Sequence, residues 1–216
     1  MLSVSVYDLI KVKIASMEYA PGSNFSEMEL ANELGIPRGK VREAFNLLSQ
    51  DKLVQVIPQR CTTICKLELG NILDSIFIVR SILIAIVKDV HLAYLDKTLP
   101  LSRLRENLLA LEKNNNFSEV AFFKLDHDFH LTLSELSGFP RLNKIIFKEK
   151  LNIDRTLRLS VKRQADYVTI LRIYGKVIDT LLAGAPDKSI KALCELASML
   201  ETCANAAVKN HPHLFK

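Results

Sequence analysis

Two groups of side chains in this 216-residue chain have the types and spacing to do chemistry. The first is Asp126 and His130, which lie four apart and so share one face of a helix. A carboxylate and an imidazole placed this way can ligate one divalent ion, bond each other, or grip a ligand in a cavity. Two ligands alone hold a divalent ion weakly. The remaining histidines add little, because His127 points off that face and His91 lies at a distant helix end. The second group is Arg38-Gly39-Lys40-Val41-Arg42, at the N-terminal end of a short amphipathic helix, with Arg60 further along at a hairpin tip. Guanidinium and ammonium groups at such a helix start suit the phosphates and guanine edges of a major groove.

The elements that must position these groups follow from local patterns. Ser26 with Glu29 three residues later forms a capping box opening a helix, and Met28, Leu30, Ala31 and Leu34 form its apolar side. Gly35 ends it, Pro37 restarts the chain, and Val41, Ala44, Phe45 and Leu48 give Arg38 to Gln50 helical spacing. Two short helices joined by a tight turn are a helix-turn-helix. The run Leu53, Val54, Val56, Ile57, broken at Pro58-Gln59-Arg60 and resumed at Thr62-Thr63-Ile64-Cys65, predicts a hairpin, the wing of a winged helix. Upstream, Val6, Leu9, Ile10, Ile14 and Met17 predict one more helix, closed by Pro21-Gly22.

Beyond Lys66 the strand signals stop. Helical periods cover Leu69–Tyr94, Leu101–Lys113, Ser118–Ser137, Arg141–Ser160, Tyr167–Ala183 and Asp187–Val208, separated by Thr98-Leu99-Pro100, an asparagine run, Gly138-Phe139-Pro140 and Gly184-Ala185-Pro186. Six helices with short connections predict an antiparallel bundle. The expected organisation is a winged helix over 1–66, a linker at 67–68, a helical ligand-binding and dimerisation domain over 69–210, and a flexible tail at 211–216. The fold class is mainly α.

The N-terminal segments resemble the GntR superfamily of bacterial transcriptional regulators: Val6-Tyr7-Asp8-Leu9-Ile10, Pro21-Gly22, Ser26 to Ala31, Leu34-Gly35-Ile36, and above all Pro37 to Ala44. In the second half, Ile78-Val79-Arg80, Asp126-His127-Asp128-Phe129-His130, Leu136-Ser137-Gly138 and Val177-Ile178-Asp179 resemble the FCD domain of the FadR branch. Ile84 stands where that family usually has an acidic residue. Many FCD domains complete a metal site with histidines on the last two helices, where this chain has Tyr174 and approximately Leu196. The resemblance implies a ligand-responsive regulator that dimerises through its helical domain, the helix over Ile72 to Val90 being one route.

Composition sets the remaining bounds. The net charge is +5, yet the first 66 residues are nearly balanced, so DNA binding must rest on a few placed arginines. Arg141 to Lys176 holds ten basic residues against three acidic ones. Most of that stripe is expected to be solvated, with Arg155 or Arg158 as the inward member that pairs with a carboxylate effector opposite Asp126 and His130. Four cysteines show no paired framework, as expected for free thiols in a reducing cytoplasm. The apolar run Ile76 to Val87 is too short to span a bilayer and predicts a core helix, and no secretory signal is visible. No Gly-rich phosphate loop, nucleophile elbow or His-Glu-x-x-His helix is present, so an enzyme is not expected.

The reading is a cytoplasmic, homodimeric transcriptional regulator of palindromic double-stranded DNA. Arg38, Gly39, Lys40, Arg42 and Arg60 form the DNA surface, and Asp126, His130, Tyr174, Arg155 and Arg158 the site for a small, carboxylate-type effector. No metal or other cofactor is expected. The alternatives are a metal-dependent sensor or hydrolase-like bundle using Asp126 and His130, and a winged helix that binds protein.

Overall fold

The computed structural model describes residues 5–57, 60–92, 98–114, 116–139, 141–161 and 164–216. Pro58 and Gln59 of the wing turn, Tyr94 at the expected helix end, Lys162 and Arg163 of the basic stripe, and the side chain of His91 lie outside the described residues. The chain forms two compact units, residues 1–71 with 207–216, and residues 72–206.

The first unit runs α1 (Val6–Ala15), β1 (Asn24–Phe25), α2 (Glu27–Leu34), α3 (Arg38–Gln50), β2 (Val54–Ile57) and β3 (Cys61–Ile64). The capping box at Ser26 forms in both directions, the Glu29 amide donating to Ser26 Oγ and the Ser26 amide to Glu29 Oε2, each at 3.0 Å. Gly35 sits at φ 63°, the left-handed region a glycine enters without strain, and closes α2 so that the chain can turn into α3. Ile10, Ile14, Leu30, Val41, Phe45 and Leu48 are buried together, which is the half-apolar pattern of each helix realised as one core. Met28, grouped with that apolar side in the sequence, is instead 62 % exposed. The wing pairs Val54 with Ile64 and Ile57 with Cys61, and β1 adds a third antiparallel strand, Asn24 opposite Thr63, giving the order β1-β3-β2. A two-residue strand is too short to leave an alternating pattern, so nothing in the sequence announced it.

The C-terminal residues 211–216, expected to be a flexible tail, are ordered into this unit. A 3-10 turn at Pro212–Leu214 leads Phe215 into a parallel bridge with Leu67. The Leu67 amide donates to Leu214 O and the Lys216 amide to Leu67 O, both at 3.0 Å. Leu67, read as linker, is buried, as is Phe215. Lys216 also pairs with Glu68. Two backbone bonds and a buried aromatic hold the end of the chain.

The second unit contains α4 (Leu69–Leu92), α5 (Thr98–Lys113), α6 (Glu119–Leu136), α7 (Arg141–Ser160), α8 (Gln164–Leu182) and α9 (Pro186–Asn210). α5 packs on α6 and α8, and α6 packs on α7 and α8. A Cβ added at Gly175 would stand 2.9 Å from the Arg105 guanidinium, which pairs with Asp179 at 2.7 Å, so a larger residue there would have to displace the end of that side chain. Phe129 stacks on Tyr174 with centroids 4.0 Å apart, joining α6 to α8. α4 is longer than the apolar run suggested and meets the length and composition of a membrane span. Length therefore no longer separates the two readings. Its side chains Ile72, Ile76, Val79, Leu83, Ile86, Val87 and Val90 are buried along one face, while 39 % of the apolar stretch is buried in all, less than the near-complete burial expected of a core helix.

Candidate DNA-binding surface and effector cavity

In the first unit, α3 starts at Arg38 directly after Pro37 and has no side-chain cap, so its first amides are left open. Arg38, Lys40 and Arg42 project from this end with side chains 61, 60 and 58 % exposed. Glu27, the first residue of α2, organises two of them. Its carboxylate accepts from Arg38 Nε at 2.8 Å and, through both oxygens, from Arg42 Nε and Nη2 at 2.9 Å. The Arg42 hydrogen bonds, against a smaller opposing effect of burial, hold the Glu27 carboxyl down at about 2. Arg42 Nη1 makes no hydrogen bond among the described residues. Lys40 pairs with Glu43 at 2.9 Å. A Cβ added at Gly39 would meet nothing within 4 Å, so the chain itself does not require glycine there.

Arg60 is exposed at the wing, its amide donating to Ile57 O at 3.1 Å. Arg38, Arg42 and Arg60 line one concavity of about 490 Å³ with Glu27, Ser26 and Thr62. The structure thus brings together the arginines singled out in the sequence and adds Glu27. An acidic residue at a capping-box helix start has a ready explanation in the helix dipole, which hid its second role.

In the second unit, Asp126 and His130 are both 3 % exposed, on the inner face of α6. They do not bond through their side chains: His130 Nδ1 lies 3.8 Å from Asp126 Oδ1, and 2.7 Å from the backbone carbonyl of Asp126. That carbonyl accepts the Nδ1 proton of a neutral ring, leaving Nε2 as a bare acceptor. Burial, helped by the nearby Lys150 ammonium, lowers the His130 pKa to about 4, so the ring is neutral at pH 7.

Asp126 spends its oxygens elsewhere. Tyr174 donates its hydroxyl to Oδ1 at 2.5 Å, and Lys150 Nζ lies 2.8 Å from Oδ2. Lys150 also bonds Asp154 at 2.9 Å. Burial, the largest single effect, raises a carboxyl pKa, but the Lys150 charge and the hydrogen bonds from Lys150 and Tyr174 act together against it, and Asp126 ends below the ordinary value. Burial pulls the Lys150 pKa down, and the two carboxylates together outweigh it and raise the pKa. Burial pushes Asp154 up to about 6.

Lys150 is one of the ten basic residues of Arg141 to Lys176 but lies off the helical stripe that Lys144, Lys148 and Arg158 share. At 5 % exposure it is the centre of the buried polar cluster, a place that a count of basic residues did not single out. Of the two arginines expected to meet a carboxylate effector, Arg155, 1 % exposed, bonds Asn152 within its own helix, and Arg158 pairs with Glu119 at 2.8 Å and lies over the Phe123 ring. Tyr174 sits on Asp126 itself, not opposite it.

A cavity of about 20 Å³ adjoins this cluster, lined by Asp126, His130, Lys150 and Asp154 on one side and by Val79, Leu83, Leu193 and Leu196 on the other. That is room for about one water. Arg80 of α4 also reaches it, resting over the Phe77 ring at 5.1 Å and making no ion pair among the described residues.

A winged helix with arginines at the start of its second helix, in one chain with a helical unit that holds a buried polar cluster, defines a DNA-binding transcriptional regulator. Residues 2–64 match the bacterial regulatory proteins of the gntR family, and residues 92–198 match the FCD domain. The chain belongs to the GntR family and carries its FCD domain. It is 28 % identical over 179 residues to an HTH-type transcriptional regulator in an unstable DNA locus of Streptomyces ambofaciens, covering 83 % of this chain and 75 % of that one. It is 26 % identical over 180 residues to the HTH-type transcriptional repressor RspR of Escherichia coli K12, covering 82 and 77 %. Its fold matches E. coli McbR/YncC with a TM-score of 0.77 at 18 % identity, over 98 % of this chain and 100 % of that one. The match to a GntR transcriptional regulator from Rhodococcus sp. RHA1 has a TM-score of 0.71 at 22 % identity, over 94 and 96 %.

Membership in the FCD group raises the question of a metal. The donors present do not fit one. Both Asp126 oxygens are engaged by Tyr174 and Lys150, and the apolar Leu196, which cannot ligate, lines the cavity beside them. Among the described residues, no group of three or more His, Cys, Asp or Glu side chains could hold an ion.

Proposed function

We propose that this regulator acts in the cytoplasm as a homodimer on a palindromic operator, with Arg38 and Arg42 of α3 in the major groove. Gly39 and Lys40 support them at the backbone phosphates, and Arg60 of the wing reaches the neighbouring groove. The observation that carries this reading is the Arg42 geometry. Glu27 holds its Nε and Nη2 edge at 2.9 Å, which keeps the guanidinium extended with Nη1 free for a guanine. Two-fold symmetry doubles the few base pairs one helix can read, and the helical unit, α4 foremost, supplies the dimer contact.

The effector is a small organic acid taken up at the cavity beside Asp126 and His130. Arg80, not Arg155 or Arg158, is its cationic partner, since Lys150 is already matched by two carboxylates. His130 Nε2 and the apolar wall meet the rest of the molecule. A cavity that holds one water cannot accept such a ligand unless helices part. Binding and helix displacement are therefore one event, and that displacement is the signal.

Fluorescence anisotropy with random and operator duplexes across a salt series tests the DNA reading. Specific binding that falls steeply with salt and drops roughly tenfold in Arg42→Ala is expected. Equal operator binding by Arg38→Ala, Arg42→Ala and wild type, all folded by circular dichroism, would refute it. For the effector, a thermal-shift screen of carboxylic acids should find one whose stabilisation disappears in Arg80→Ala.

A further inference from the structure

We infer that the Lys150 ammonium is the built-in cation of this sensor, a covalently attached charge that does at Asp126 and Asp154 what an exchangeable divalent ion would otherwise do. Three observations lead there. Lys150 Nζ lies 2.8 Å from Asp126 Oδ2 and 2.9 Å from Asp154 Oδ1, so one positive charge is shared by two carboxylates, as a metal would share it. Through Tyr174 on Asp126 Oδ1, the cluster ties α6, α7 and α8 together, the cross-link a metal would otherwise make. Finally, the Lys150 side chain is 6 % exposed and that of Asp126 4 %, in a bundle interior where an uncompensated carboxylate is costly.

The consequence is functional. A metal-centred sensor gains or loses its site with the supply of the ion. This one keeps its site at any metal concentration and responds to its organic ligand alone. The charge also differs: a divalent ion held by one carboxylate leaves a positive centre, whereas Lys150 between Asp126 and Asp154 leaves none. An anionic ligand must then find its cation on another helix.

The arrangement predicts that removing the tether recreates an ion site. In Lys150→Ala the ammonium and its stem are gone, and Asp126, Asp154 and His130 border the space left. Melting of the full-length protein is compared in EDTA and in Zn²⁺, Ni²⁺ or Mn²⁺. Wild type should melt at the same temperature in all four, and elemental analysis should find less than a tenth of an equivalent of metal per chain. Lys150→Ala should melt well below wild type in EDTA and regain a large part of the loss with one of the ions. Adding His130→Ala should abolish that recovery, which separates it from binding at surface histidines.

Should Lys150→Ala fail to fold under every condition, the pair Lys150→Met with Asp126→Asn decides. The double variant, relieved of the more deeply buried of the two unpaired carboxylates, should fold and melt above Lys150→Met alone. Any of three results overturns the inference: a wild-type melting temperature that rises saturably with metal, near-stoichiometric metal lost on chelation, or a Lys150→Ala protein as stable as wild type and indifferent to ions. A double variant no better than Lys150→Met would also overturn it. None of these readouts involves DNA, so operator binding stands or falls separately.

Discussion

Glu27→Ala should lower operator affinity while slightly raising affinity for random DNA. The carboxylate has two effects on the surface, and they act in opposite directions. It holds Arg38 and Arg42 at 2.8 and 2.9 Å in the free protein, so the ordering of two long side chains is partly done before DNA arrives. An unrestrained arginine loses side-chain freedom worth a factor of roughly ten to thirty on being fixed. Exposed ion pairs recover only part of that, so a loss of roughly five- to twentyfold in specific binding is expected. The opposing effect is Coulombic. A phosphate touched by either guanidinium would stand about 7 Å from the Glu27 carboxylate, which costs ~0.6 kcal/mol in water before salt screening. Removing that repulsion strengthens non-specific binding about twofold.

The ratio of specific to non-specific affinity should therefore fall by roughly ten- to fortyfold, a signature simple unfolding does not produce. The assay is anisotropy with operator and random duplexes of equal length at fixed ionic strength, with circular dichroism as the folding control. Glu27→Gln, which keeps an acceptor but drops the charge, should show the non-specific gain with a smaller specific loss. Equal weakening on both DNAs, or an unchanged ratio, would refute the idea that Glu27 positions the arginines.

Other expectations follow from the same geometry. Tyr174→Phe removes the hydroxyl that the buried Asp126 accepts from, and should cost about 1.5–3 kcal/mol of stability by urea titration; a loss under ~0.5 kcal/mol would mean that bond does not matter. Ser26→Ala loses the α2 cap and should cost ~1 kcal/mol, read in the same way. The pH dependence has a definite sign. His130 is pushed down to about 4, so between pH 4 and 6.5 the unfolded chain binds more protons there and this group makes stability rise with pH. Asp154 is pushed up to about 6, so over pH 4 to 6 it binds more protons when folded and acts the other way. In wild type the two act in opposite directions. Asp154→Asn should unmask a fall of roughly 1.4 kcal/mol per pH unit from pH 6 to 4, and a flat profile in that variant would contradict the neutral, buried His130. Light scattering on the full chain should give twice the 24.4 kDa of one copy; a monomer at tens of micromolar would count against the dimer.

The sequence by itself determined what is local. The capping box at Ser26, the left-handed Gly35, the start of α3 after Pro37 and the wing strands are all set by residues within a few positions of one another, so propensity and period suffice to read them. The same holds for the six long helices, and for Arg38, Lys40 and Arg42, whose placement needs only one helix. Whatever depended on contacts between distant segments was decided by the tertiary structure. Glu27 and Arg42 are 15 residues apart, and Tyr174 and Asp126 are 48 apart. Leu67 meets Phe215 from the other end of the chain, which turned an expected loose tail into an ordered one. On α7, Lys144, Lys148, Lys150, Arg155 and Arg158 look alike as residue types. Which of them enters the core depends on the position of Asp126 on another helix, because a buried ammonium is stable only where carboxylates await it. Helix periodicity fixes the angle of a side chain about its own axis, but not what stands across from it.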